Sequence, residues 1–464
     1  MEDLPEALLV EIINRITRTS DLNSLSLVSK QFYTIEACQR SAIHVGCGLC
    51  PAREALTSLC SRFPNLWKVD IDYSGWKNFH GDQLDNNGLS MISSCCLSLT
   101  ELTLRFSYCK KLVSLRLNSV PEITSSGLLS VAVGCKSLSG LFLNNCEKIG
   151  SVEWLEHLGQ NGSLVDLVVN NCNGISQYDF LKFGPGWLKL RKFDFEVKGG
   201  FWAVYKCFVD PGFDPLYNAH NPSRYDFFCE SLKDLRLACF ETGTEVGLRF
   251  LFGKCKALEK LRIQYVHGLN DNDLIVLSVS CRNLKSISLL LTPMFYHHQF
   301  RTAFTDNGLK ALAVNCPMLE SVELTFAGCE ASYPTEIGFT QKGLVVLVQS
   351  CPIRVLILNG ANFFNDDGMT ALSSAPFLET FELVDCMAVT DAGLCFIART
   401  PFLVNLMIRI CEGTAKVAEL ARAKKFESMI IEGYGISQQA MQGAARSVQY
   451  SVESARPGEL KRMC

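Results

Sequence analysis

The sequence predicts an α/β solenoid with a parallel sheet inside and helices outside, preceded by a compact helical module. Three observations carry this reading. Apolar residues recur every 26 positions, at Leu115, Leu141, Leu167 and Phe193 and again at Leu235, Leu261 and Ile287. Each recurrence sits in a Leu-x-Leu core that alternates with the period of a strand. A Thr/Asp/Gly signal and an apolar helical stretch then follow, as in Thr305-Asp306-Asn307-Gly308-Leu309 and Thr390-Asp391-Ala392-Gly393-Leu394. A fixed period of this size means stacked units that bury their apolar faces only against one another. Helices are wider than strands, so the stack is expected to curve with the helices on its outer side.

Composition narrows the class. The chain has 464 residues, of which 48% are hydrophobic and 20% charged, so burial is ample and disorder is excluded. Lys and Arg number 44 against 47 Asp and Glu, a net charge of -3, which gives no broad electrostatic footprint for nucleic acid. The opening MEDLPEALLVEIINRI lacks the basic start and apolar core of a secretory signal. No apolar run of about 18 residues predicts a membrane span. The 22 cysteines are therefore expected as free thiols in a reducing compartment, the nucleus and/or cytoplasm.

The first element is a helix opened by Leu4-Pro5, since Pro is tolerated in a first turn. Leu8, Leu9, Ile12, Ile13 and Ile16 form its apolar stripe. Asp21 is placed to cap a second helix carrying Leu22, Leu25, Leu27 and Val28. This module is assigned to residues 1–45 and the solenoid to 46–436.

The most complete repeats read Cys-x-x-Leu-x-x-Leu-x-Leu, as at Cys135, Cys255, Cys281 and Cys316. Strand cores are expected around Val69, Leu102, Leu115, Leu141, Leu167, Phe193, Leu235, Leu261, Ile287, Val322, Leu356, Phe381, Leu406 and Ile430. The repeat cysteines are read as small buried hydrophobes. Cys47-Gly48-Leu49-Cys50, near His44, Cys38 and Cys60, lacks the second matching pair of a structural zinc site, so no metal is predicted. Four insertions break the period, near 73–86, 196–230, 291–303 and 330–338. They carry Trp76, Phe79 and His80, then Phe201 and Trp202, then Phe295, Tyr296 and Arg301. Aromatic and Arg side chains commonly anchor interfaces; packing of the loops on the solenoid is the competing reading. Leu102 to Leu115 spans only half a period, for which we have no physical account. Residues 437–464 read as a helical cap with a loose tail.

The middle residue of each Leu-x-Leu faces out of the core onto the concave sheet. Arg116, Arg236 and Arg262, with Lys192 and Lys260 beside them, make the central sheet locally basic. An anionic group is expected there, either an acidic target segment or an anionic small molecule such as an inositol phosphate, because Arg binds such groups bidentately. A solvated charged face is the alternative. No cofactor is otherwise implied. No phosphate-cradling Gly loop, His-Glu-x-x-His or Gly-x-Ser-x-Gly points to catalysis.

Leu4-Pro5, Leu8, Glu11, Ile12, Arg15, Ile16, Asp21-Leu22, Ser26-Leu27-Val28-Ser29-Lys30 and Tyr33 together resemble an F-box. The repeats resemble the cysteine-containing class of leucine-rich repeats. The whole is similar to F-box/leucine-rich-repeat proteins, including the plant auxin and jasmonate receptors, where similarly placed loops frame the ligand pocket. The resemblance implies a non-catalytic substrate receptor of an SCF ubiquitin ligase. Its F-box would dock on the Skp adaptor and so join a cullin–RING core, while its repeats would hold a protein target for ubiquitination and degradation. The docking surface would draw on Leu4, Pro5, Leu8, Ile12, Leu22, Leu27, Val28, Lys30 and Phe32. A leucine-rich-repeat binding scaffold or small-molecule sensor acting outside a ligase is the second reading.

Overall fold

The computed structural model describes residues 5–16, 18–45, 58–71, 113–118, 123–175, 177–197, 229–241, 248–267, 269–291, 304–327, 337–397, 399–409, 426–433 and 450–454. The chain divides into two compact units, Met1–Gly200 and Phe201–Cys464.

The first unit opens with α1 (Glu6–Arg15), α2 (Thr19–Ser26) and α3 (Lys30–Gln39). Strand β1 (Ala42–Val45) then pairs in parallel with β2 (Lys68–Ile71). The sequence reading placed 42–45 in the helical module; pairing with β2 assigns them to the repeats. Further on come β3 (Ser114–Asn118), α4 (Ser125–Gly134), β4 (Gly140–Asn144), α5 (Glu153–Asn161), β5 (Asp166–Cys172), a 3-10 segment (Gln177–Leu188) and β6 (Lys192–Val197). Strands β3 to β6 form a parallel sheet in chain order. The 3-10 segment replaces a regular helix because Gly184 interrupts it at φ 50. Its Phe180 and Trp187 pack edge-on against Phe193.

The second unit alternates β7 (Asp234–Glu241), α6 (Arg249–Phe252), β8 (Lys260–His267), α7 (Asp271–Ser280), β9 (Ser286–Leu291), α8 (Asp306–Asn315), β10 (Ser321–Phe326), α9 (Gln341–Ser350), β11 (Val355–Asn359), α10 (Asp366–Leu372), β12 (Thr380–Val384), α11 (Asp391–Ile397) and β13 (Asn405–Arg409). It ends on β14 (Ser428–Gly433) and β15 (Tyr450–Ser454). All its strands run parallel and in chain order. The two inward side chains of each repeat align across strands: Leu235 with Leu261 and Ile287, Leu237 with Ile263 and Leu289. Each of these is at most 3% exposed. Burying one such side chain contributes about 1.5–3 kcal/mol.

The expected strand cores all fall in strands except Leu102, which lies outside the described residues. The last is off by one residue. Met429 pairs with Leu406 and is 0% exposed, while Ile430 aligns with the outward Met407. Because side chains alternate, a one-residue slip exchanges the two faces. A helical cap was expected over 437–464, yet 450–454 is a strand paired with β14. The four insertions lie almost wholly outside the described residues, as do Trp76, Phe79, His80, Phe201, Trp202, Phe295, Tyr296 and Arg301.

The Thr-Asp-x-Gly signal does more than cap a helix. Thr305 accepts from Asn307 N (3.2 Å) at the start of α8, and its hydroxyl donates back to Asp271 Oδ2 (2.5 Å) on α7. Its N–H donates to the other Asp271 oxygen at 2.8 Å. Asp306 holds Thr340 the same way (2.8 and 2.6 Å), and Asp366 holds Thr390 (2.8 and 2.6 Å). The first aspartate of one helix therefore clasps the cap of the next. Gly343 makes room for it, since a Cβ there would fall inside the van der Waals shell of the Asp306 carboxylate. Gln341 stands where the next aspartate would be, and the following cap, Asn365, bonds only within its own helix among the contacts seen, to Asp367 N and Gly368 N.

A second register device lies just before each strand from β7 to β14. Lys233, Glu259, Lys285, Glu320, Arg354, Glu379, Val404 and Glu427 occupy one repeat position. Each after Lys233 donates its backbone N–H to the carbonyl of the residue before it in that series, at 2.8–2.9 Å. Their charges alternate from Lys233 to Glu379. Glu259 bonds Lys233 at 2.6 Å and Lys285 at 2.9 Å, and Arg354 bonds Glu379 at 2.6 Å. Such pairs favour the in-register stack over a slipped one.

Replacing Gly343 by Ala is expected to cost about 1–3 kcal/mol through overpacking against Asp306. Gly150→Ala, where the nearest atom would be 3.8 Å away, is the matched control. Thermal melts of the two variants should separate clearly. A pH effect follows from Glu259. Hydrogen bonds from Lys233 and then Lys285 lower its carboxyl from 4.5 to about 2. The stabilisation is thus fully present above about 4.5 and is lost as pH falls towards about 2. Melting temperature against pH should fall less steeply across that window in Glu259→Gln than in the parent chain.

Candidate adaptor and target surfaces

The helical module has a filled interior. Leu9 and Ile13 on α1 pack with Phe32 and Ile35 on α3, and Val10, Leu22 and Leu25 close over them. Ser29 caps α3 by accepting from Phe32 N at 3.3 Å, which fixes where Phe32 enters. Phe32 was expected on the docking surface. At 6% exposure it belongs to the core, because it is the large side chain that fills the space between α1 and α3. Leu22 is shared between core and surface, and Leu4 lies outside the described residues.

A second apolar set remains in solvent. Leu8 and Ile12 sit one turn apart on α1 and are 48% and 45% exposed. Leu27 and Val28, in the turn between α2 and α3, are 86% and 64% exposed. Pro5 and Lys30 are exposed too. The structure thus leaves most of the expected adaptor residues exposed, and four of them are apolar.

An unforeseen ionic cluster ties this module to the segment that follows. Glu36 on α3 is buried. Its carboxylate lies 2.5 Å from Arg40 Nε and 2.9 Å from Arg62 Nη2. Arg40 also donates to Asn23 Oδ1 on α2 (2.9 Å). Arg62 lies over the Tyr33 ring, 4.0 Å from its centroid. One carboxylate therefore joins α3 to the turn before β2. The sequence held no local signal of it, since Glu36 and Arg62 are 26 residues apart.

The expected target face divides between the units. In the first, Arg116, Phe142, Val168 and Asp194 align on adjacent strands, and the Arg116 guanidinium lies 4.2 Å from the Phe142 centroid. Lys192 aligns with Asp166. In the second, Arg236 aligns with Arg262, then Ser288, Glu323, Ile357, Glu382 and Met407. These outward positions are those the alternation predicts. The basic centre is, however, partly answered from within. Arg236 donates from Nε (3.0 Å) and Nη2 (2.7 Å) to Gln264 Oε1, and Arg262 meets Asp234 at 3.4 Å. Lys260 is exposed beside Asp234 and Ser286.

The repeat cysteines offer no activated nucleophile. Burial raises the Cys281 and Cys316 thiols to about 12 and the Cys351 thiol to about 11. The hydrogen bond with Cys229, and then burial, push Cys255 up. Such thiols stay protonated at neutral pH and act as core groups. Among the described residues no cluster of three or more His, Cys, Asp or Glu could hold a metal ion, and no helix is long and apolar enough to cross a membrane. Cys47 and Cys50 lie outside the described residues.

Residues 1–37 match the F-box domain model. Among solved structures, the chain is similar to one in the Rad7–Elc1 complex of yeast, with 14% identity, TM-score 0.45, and 96% of this chain and 92% of the other covered. It is also similar to the leucine-rich-repeat-containing protein LegL7 from Legionella pneumophila, at 11% identity, TM-score 0.32 and coverage of 68% and 92%. A third likeness is to the TLR13–ssRNA13 complex, at 10% identity, TM-score 0.36 and coverage of 90% and 79%.

Breaking the Glu36 cluster tests whether it couples the module to the segment after it. Glu36→Ala leaves Arg40 and Arg62 without their shared carboxylate and should cost about 3–5 kcal/mol. Hydrogen exchange is expected to rise together in α3 and in residues 58–63; a rise in α3 alone would show that no coupling exists.

Proposed function

We propose, from an F-box domain at residues 1–37 followed by stacked leucine-rich repeats, that this chain is the substrate-recognition subunit of an SCF-type ubiquitin ligase. One observation carries the reading furthest. The F-box interior is complete with Leu9, Ile13, Phe32 and Ile35, and yet Leu8, Ile12, Leu27 and Val28 remain exposed beside it. Apolar side chains left over after a core is filled mark a surface that another protein covers. A Skp-type adaptor would cover it and link the chain to a cullin–RING core.

The repeats then present the target. Within each unit the outward strand positions line one face of the sheet, where side-chain identity is largely independent of the leucine core. The chain itself transfers no ubiquitin in this scheme; it holds a target near the subunits that do. The Glu36 cluster supports the same reading, because a receptor must fix its docking module relative to its first repeats. An anionic group on Arg236 and Arg262 would have to compete with Gln264 and Asp234, so a protein target fits this face better than a small anion.

The experiment is adaptor binding by the purified chain. Leu8→Asp/Ile12→Asp should lower affinity for a Skp-type adaptor by about 100-fold, since two anchor side chains are lost from one interface. The melting curve should be unchanged, because both positions are exposed. Phe32→Asp should instead unfold the module. A parent chain that shows no affinity for the adaptor would end the ligase reading.

A further inference from the structure

The alternating charge row of the second unit stops at one place. Between Glu379 and Glu427, where the pattern requires a cation, the residue is Val404. Glu379 is satisfied on one side by Arg354, while Glu427 is exposed and makes no ion pair among the described residues. Glu320, also exposed, makes none either. From Glu320 to Glu427 the row therefore holds three carboxylates and one guanidinium.

A second row runs beside it, two residues earlier in each repeat. It reads Ser231, Ala257 and Asn283 in the first three repeats, then Met318, Pro352, Phe377 and Phe402 in the next four. Met318, Phe377 and Phe402 are 43%, 49% and 60% exposed. The change from small and polar to large and apolar coincides with the change to net negative charge. Residues of this row sit on consecutive turns about 4.8 Å apart, so Met318 to Phe402 spans roughly 14 Å. That is close to the length of a helical stripe of three turns at about 5.4 Å per turn.

We propose that this strand-entry edge, from β10 to β14, docks a basic amphipathic helix of a protein partner. Its apolar stripe covers Met318, Phe377 and Phe402, and a Lys or Arg beside the stripe seats over Val404 between Glu379 and Glu427. The partner supplies in trans the cation that the row lacks in cis. Its residues are distinct from those of the outward sheet face and from those of the F-box.

The test uses the full chain and a fluorescent peptide of about 18 residues, built from Leu and Lys in amphipathic helical order, with a Leu/Glu peptide of the same pattern as control. Anisotropy should show binding of the first and not the second. Val404→Lys, which fills the vacancy from within, should weaken binding about tenfold. Phe377→Ser/Phe402→Ser should weaken it at least as much, while Glu323→Gln/Glu382→Gln on the sheet face should leave it unchanged. Should Val404→Lys fail to fold, exposed Glu427→Gln must still weaken binding about threefold. Equal binding of both peptides, no effect of these edge variants, or loss on the sheet-face variant would overturn the proposal. Concentration-dependent self-association of the chain that Val404→Lys abolishes, without peptide binding, would assign the edge to a second copy and overturn it too. Adaptor affinity, measured in parallel, should not change in any of these variants, which separates this proposal from the ligase reading.

Discussion

No repeat of this chain can bury its own apolar layer. A strand of five or six residues offers two inward side chains, and a helix above it offers two or three more; the rest of their surface is covered only when another repeat stacks on each side. Everything else follows from keeping that stack in register. Leu235, Leu261 and Ile287 lie level, so a slip of one residue would turn each of them out into water. The backbone ladder alone tolerates such a slip. The Asp–Thr clasps on the helix side and the alternating charges at the strand entry do not, because each pairs a residue with one particular residue of the next repeat. Two weak devices on opposite sides of the stack thus fix what the leucines merely favour.

The F-box obeys a different economy of surface. Three short helices enclose a small core and cannot hide every apolar side chain they carry. Leu9 and Leu8 are neighbours in sequence but have opposite fates, 1% and 48% exposed. A helix turns by about 100° per residue, so adjacent positions cannot share one face. The module therefore carries two stripes, one spent on folding and one left for association. Glu36 makes that arrangement useful. In the proposed receptor, a docking module free to swing would spread a bound target over many positions. A buried carboxylate shared by Arg40 and Arg62 costs desolvation, which hydrophobic residues of the same size would avoid. It is retained here at a junction, where directional bonds set an angle that apolar contacts leave loose.

Much of the fold was legible because the leucine period states it openly. Every marked core from Leu115 to Leu406 lies in a strand with its leucine or equivalent inward, although the middle residues Val168 and Ser288 are buried as well. The failures have specific causes. Ile430 was chosen over Met429 because the segment Ser-Met-Ile-Ile-Glu-Gly offers three apolar residues in a row and so no alternation to read. β1 and β15 lack a Leu-x-Leu core altogether; partners across the sheet make them strands. Phe32 was placed on the surface because a short helical module gives no sequence signal separating its two apolar faces. Of the target face, the positions were legible and the electrostatics were not. Asp234 and Gln264 belong to outward rows on either side of the arginines, and their effect on Arg262 and Arg236 needs the register of β7 and β8. The charge row was hidden for a related reason. Its spacings are 26, 26, 35, 34 and 25 residues from Lys233 to Glu379, so no fixed period reveals it until the insertions are folded out.

Where those insertions fall has a local cause. Four residues after the first inward side chain of a repeat, the backbone takes positive φ at Asn145, Asn171, Cys239, Tyr265, Gly360 and Asp385. These six begin the connections of ordinary length, 25 or 26 residues from core to core. The same position is Val197, Leu291 and Phe326 after the cores Phe193, Ile287 and Val322, and none of these three has positive φ. Those three precede the long connections of 42, 35 and 34 residues. A left-handed residue costs a non-glycine about 1–2 kcal/mol, less for Asn or Asp. It is repaid at Asn145, Gly360 and Asp385, whose N–H groups bond the carbonyls of Asn170, Val384 and Arg409 in the next repeat at 2.9 Å. After β4, β11 and β12 this residue is the first beyond the strand, while β5, β7 and β8 continue one or two residues past it. Strands β6, β9 and β10 instead end on Val197, Leu291 and Phe326 without a left-handed residue, and the longer connections leave from there. Lengthening a loop costs only about 0.6 kcal/mol per doubling. Positive φ at the strand exit thus accompanies the short connections, and the leucine framework accommodates short and long connections alike.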